Sequence, residues 1–164
     1  MLFLSMISRI ITIGFLLLSI LLVSFLVGAQ TTVSNLIWLL SVDMPVTFTV
    51  LISSVYHDFV LMTLTSAPPP LPPLPFLPVI IAIGFVVSFG VTWIVLRWIK
   101  TQKKYAYGIA GAVALAFIFY LMPLLFFGVD MLAGARTLIG KIILIFCGYL
   151  GGHFFGSRLS KGEV

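Results

Sequence analysis

The chain is short of charge, of acid above all, and of cysteine. Only 8% of its 164 residues are charged, and the acids number four: Asp43, Asp58, Asp130 and Glu163. Beside a hydrophobic content of 62%, so little charge excludes an ordinary soluble domain, which carries about 45–50% apolar and about 25% charged residues. Lipid can surround such a surface where water cannot. The lone Cys147 excludes an internal disulfide. It sits in the apolar run from Leu144 to Gly148 and reads as a small hydrophobe, since a reactive thiol needs an electropositive, accessible setting.

Other absences narrow the chemistry. Two histidines, His57 and His153, are too few for a clustered metal site, and they are expected on opposite sides of the membrane, where they could not hold one haem between them. No long apolar run contains a carboxylate, which argues against a proton-coupled exporter. No GxGxxG, P-loop or HExxH sequence occurs. We therefore expect no cofactor and no metal and assign no catalytic residue, and a non-catalytic role is favoured over an enzymatic one. The net charge of +5 comes from cations scattered at the ends of apolar runs, with no cluster longer than Lys103-Lys104. That distribution fits topology signals near anionic lipid and not nucleic-acid binding.

What is present is a series of apolar runs of about 20 residues, the length needed to cross roughly 30 Å of hydrocarbon. Four spans are expected, over residues 10–29, 77–96, 106–127 and 137–156. The expected fold is all-α: one polytopic membrane domain, residues 1–164, with an outer segment over 30–76. The first span could be mistaken for a secretory signal, because Arg9 precedes it and Val27-Gly28-Ala29 resembles a cleavage site. Its apolar run exceeds the usual 7–15 residues of a signal core, so an uncleaved anchor is favoured. Seven cations (Arg9, Arg97, Lys100, Lys103, Lys104, Arg158 and Lys161) fall on one side of this arrangement. Arg136 falls on the other, with Lys141 just inside. That bias places both termini in the cytoplasm, and Trp93, Trp98, Tyr105 and Tyr107 suit the aromatic belt at that boundary. The lack of a basic, serine-rich leader points to a prokaryotic plasma (inner) membrane.

The outer segment is the least ordinary stretch. From Met44 to Leu64, Phe48, Leu51, Ile52, Val55, Phe59 and Met62 share one helical face, while Thr47, Ser54, His57 and Asp58 gather opposite. An amphipathic helix with Asp43 as its N-cap is expected, and its apolar face is a candidate docking surface. The alternation in Val46-Thr47-Phe48-Thr49-Val50 leaves a strand as the other option. Seven of the nine prolines then fall between Pro68 and Pro78, which predicts a polyproline II strut, about ten residues at about 3.1 Å each.

Two further patterns concern packing and charge. Gly148, Gly152 and Gly156 form a small-residue stripe on the fourth span, and Gly108, Ala112 and Ala116 form one on the third. Such stripes let helix backbones approach closely in lipid. Asp130, Arg136 and Lys141 make a candidate polar cluster at the outer end. These features favour a non-catalytic accessory or assembly subunit of a larger membrane complex, with other integral membrane subunits and the lipid bilayer as its partners. A small oligomeric channel or transporter, with Asp130, Arg136 and Lys141 near its mouth, is the alternative. A lipid-modifying enzyme using His57 and Asp58 is a third class.

Overall fold

The computed structural model describes residues 2–64, 75–125 and 132–161. Within them the chain forms five α-helices: α1 Leu2–Ser41, α2 Phe48–Leu64, α3 Phe76–Val95, α4 Lys103–Leu125 and α5 Leu138–Lys161. A short 3₁₀ turn at Ala133–Ala135 precedes α5. Four of these helices, all but α2, are long and apolar enough to cross a membrane. The protein is an all-helical, multi-pass membrane protein. Residues 65–74 of the proline-rich stretch, Asp130 and the Met62 side chain lie outside the described residues. The expected strut does not reach Pro78, because Pro75 is the extended residue before α3 and Pro78 lies in the first turn of that helix, where a missing amide donor costs no helix bond.

Helix α5 sits at the centre, packed against both α4 and α1, and α3 closes the bundle against α4 and α1. The core is aromatic and aliphatic. Phe89 stacks on Phe155 with ring centroids 4.9 Å apart and meets Tyr107 edge-on at 5.2 Å. Phe85, Ile81, Leu115, Leu144, Val23 and Val27 are wholly buried around them. In lipid this packing gains from close contact more than from leaving water, because the tails are as apolar as leucine.

Serine hydroxyls tie the helices across their interfaces. Ser19 of α1 donates to the Gly151 carbonyl of α5 over 2.7 Å, and Ser88 of α3 donates to the Ala110 carbonyl of α4 over 2.7 Å. Each satisfies a buried hydroxyl that hydrocarbon could not. At its start α5 is capped by Thr137, whose Oγ1 accepts from the Gly140 amide at 3.0 Å.

Helix α1 is longer than its apolar core suggests. It does not stop at Ala29 but continues through Gln30, Thr31 and Thr32 to Ser41 as one 40-residue helix, roughly 60 Å at 1.5 Å per residue. The polar residues there are absorbed locally. Thr32 Oγ1 lies 3.0 Å from the Gly28 carbonyl, one turn back, and Gln30 Nε2 donates to Ser34 at 3.1 Å. The helix then ends at a Schellman turn. The Met44 amide bonds the Leu39 carbonyl, the Asp43 amide bonds the Leu40 carbonyl, and Asp43 takes a left-handed φ of 60°.

This geometry corrects the expected role of Asp43. It closes α1 instead of opening α2, and the cap of α2 is Thr47, whose Oγ1 faces the Val50 amide at 3.4 Å. Nor do residues 46–50 form a strand, since α2 is already under way at Phe48.

Candidate functional site

Helix α2 folds back along α1 as an antiparallel partner. Phe59 meets Phe25 edge-on at 5.3 Å. Thr32 Oγ1 bonds the Asp58 carboxylate at 2.8 Å. The hairpin carries no Lys or Arg between Gln30 and Phe76. Asp58 is thus turned inward onto α1, while its neighbour His57 is exposed. The two side chains meet different surroundings and make no joint site.

Of the expected docking face, Leu51, Val55 and Phe59 are half-buried, and Phe59 is engaged with α1. Phe48 stays 76% exposed. The surface the hairpin presents keeps Phe48 and Ile52 of the expected apolar face and adds Tyr56, at four-residue steps on α2, with Ile37 and Trp38 on α1. Every one of these is more than half exposed, Trp38 at 64%. On α2 this face is marked in the sequence by the four-residue recurrence of Phe48, Ile52 and Tyr56.

Beneath the hairpin lies a buried polar girdle. Thr31 is 3% exposed, and its Oγ1 has no hydrogen-bond partner among the described residues, as also holds for Gln30 Oε1 and Thr63 Oγ1. The Gln30 side chain fills the space over Gly134 in the 3₁₀ turn, where a Cβ would collide with its oxygen. This brings the α4–α5 connection against the middle of α1.

No family model, curated sequence or solved structure matches this chain. Its function is therefore argued from geometry alone.

The glycine stripe of α5 lies against α4. A Cβ at Gly148 would strike the Gly111 carbonyl, one at Gly152 the Tyr107 carbonyl, and one at Gly156 the Lys103 carbonyl. Each step of four forward on α4 is a step of four back on α5, the register of an antiparallel pair in backbone contact. On α4 the contact is carried by Lys103, Tyr107, Gly111 and Leu115. Gly108 lies beside it, under the Tyr149 ring, and Ala112 and Ala116 are only half-buried. Gly111 was missed because the four-residue pattern was read one position off, from Gly108. Gly151, on another face of α5, admits Val23 and Ser19 of α1, so adjacent glycines serve two neighbours.

Of the expected outer cluster, Arg136 and Lys141 are among the described residues and Asp130 is not. Arg136 is exposed, and Lys141 Nζ lies 5.3 Å from the Tyr120 ring centroid, a cation–π contact between α5 and α4. His153 stacks between Tyr149 and Tyr105, 5.8 and 5.9 Å away.

Proposed function

We propose that this protein is a non-catalytic accessory or assembly subunit of a larger membrane complex, docked through its α1–α2 hairpin. The observation that carries the reading is the exposed apolar face of Ile37, Trp38, Phe48, Ile52 and Tyr56. Helix α1 is about twice the length that roughly 30 Å of hydrocarbon requires. The part beyond the bundle, from Thr31 to Ser41, therefore presents apolar side chains where no cation anchors them to headgroups. Contiguous apolar patches of this kind mark interaction surfaces, and Trp and Tyr are favoured anchors in them. In this reading the prolines from Pro68 to Pro75 form a polyproline II strut tethering the hairpin to α3, and another integral membrane subunit covers the hairpin. The site is a prokaryotic plasma membrane with both termini cytoplasmic.

Blue native electrophoresis of membranes carrying Tyr56→Asp tests the docking. A buried anchor loses about 2 kcal/mol or more on truncation, so the large complex should disappear while the chain stays inserted. An unchanged complex would remove this face from the interface. For the orientation, a phosphatase fused at Thr65 should be active and one fused at the C-terminus silent. Two active fusions would overturn the shared side of the termini.

A second reading, a small oligomeric channel or transporter, is favoured by one observation: the buried hydroxyls of Ser19, Ser24, Thr31 and Thr32 along α1. Three of these already bond carbonyls, which suits packing better than passage. A complex containing only copies of this chain would support that reading over the first.

A further inference from the structure

At the end of the bundle opposite the hairpin, the close of α3, the start of α4 and the tail of α5 leave a groove of about 290 Å³. It is lined by Trp93, Leu96, Arg97, Lys103, Tyr107 and Leu159. Two of these six are cations and none is a carboxylate. The Arg97 guanidinium carbon lies over the Trp93 ring, 3.9 Å from its centroid. Stacking of that kind occupies the face of the guanidinium and leaves its N–H edge for a planar, two-point grip on phosphate oxygens. Lys103 adds charge on the facing wall, at the first turn of α4, where the helix dipole also favours an anion. The floor is different in kind: Leu96 and Leu159 pack against the hydrophobic core, and Trp93 is an interfacial aromatic.

From this we infer that the groove holds the headgroup of one anionic phospholipid, its phosphate on Arg97 and Lys103 and its glycerol and chain origins on Leu96, Leu159 and Trp93. A free phosphate would use the cations but gain nothing from the apolar floor. A zwitterionic lipid would set its own ammonium among cations. The volume lies at the small end of ligand pockets, enough for a headgroup while the chains run out into the bilayer. Basic pockets between helix ends are a recurrent form of such sites. The bound lipid would bridge the ends of α3, α4 and α5.

Native mass spectrometry of the full chain in neutral detergent tests this directly. With phosphatidylglycerol and phosphatidylcholine of identical chains in equal amounts, one phosphatidylglycerol per protein should be retained in preference. Arg97→Gln should weaken retention about tenfold, given the strength of charged hydrogen bonds, whereas Lys100→Gln, a cation outside the groove, should leave it unchanged. Leu159→Trp, which fills the groove without altering charge, should lose the lipid as well. Equal retention of the two lipids, or full retention by both Arg97→Gln and Leu159→Trp, would overturn the assignment. Displacement of the lipid by millimolar inorganic phosphate would do the same, because it would show a soluble-anion site.

Discussion

The α4–α5 pair and the α1–α2 hairpin are both antiparallel helix pairs, yet they are held by different means. In the first, Gly111, Gly148, Gly152 and Gly156 bring backbone against backbone, and the flanking Leu115 and Leu144 are wholly buried. In the second, side chains mediate: one edge-on ring pair and one hydroxyl–carboxylate bond join the helices, and the far face is left exposed. Backbone contact leaves no room for repacking, whereas side-chain contact does. A rigid seat and an adaptable arm are what a docking subunit would require of the two regions.

Gly152→Leu should break the comparison most severely. Its side chain must enter space held by the Tyr107 carbonyl, which is backbone and cannot swing aside. Overpacking of this kind costs about 3 kcal/mol, read as a fall in the midpoint of unfolding in detergent. A variant that melts like the parent would show that α4 and α5 separate freely.

The hairpin should answer more softly. A double-mutant cycle of Thr32→Val and Asp58→Ala isolates the bond between them. It should give a coupling of about 1 kcal/mol, with faster amide exchange confined to α2 and the end of α1. Additive effects would mean that the hairpin is held by Phe25 and Phe59 alone.

The smallest expected effect is a gain. Asp43 occupies a left-handed conformation that glycine adopts without a Cβ penalty. Asp43→Gly should therefore stabilise the turn by roughly 0.5 kcal/mol, visible as slower exchange at the Asp43 and Met44 amides. Faster exchange there would mean that the Asp43 side chain itself holds the turn.

These regions also differ in how openly the sequence announces them. The spans are legible because unbroken apolar runs have one solution in lipid. The α5 stripe is legible because three glycines at four-residue steps face one way on a helix. Its partner row was harder to find, since Gly108-Ile109-Ala110-Gly111-Ala112 offers small residues on several faces, and only the facing helix selects Gly111. The extension of α1 was obscured by Gln30, Thr31 and Thr32, which look like a membrane boundary. Gln30 bonds Ser34 and Thr32 lies against the Gly28 carbonyl and Asp58, and of these partners Asp58 is brought up only by the folded hairpin. Asp43 illustrates the same limit: a residue type that suits helix starts is used here to end one.

Helix α5 has a further consequence, for the order of events during synthesis. It is the last of the five helices to be made, yet it lies between α1 and α4, touching the first on its Gly151 side and the second on its Gly152 side. Domains and hairpins close as they emerge, amino-terminal parts first, so α1 and α2 can pair while the ribosome is still far from Gly151. Until α5 arrives, the Ser19 hydroxyl and the Tyr107 carbonyl face an open slot in the bilayer. Two adjacent glycines make the latecomer slim enough to slide into that slot without prising apart the helices already there.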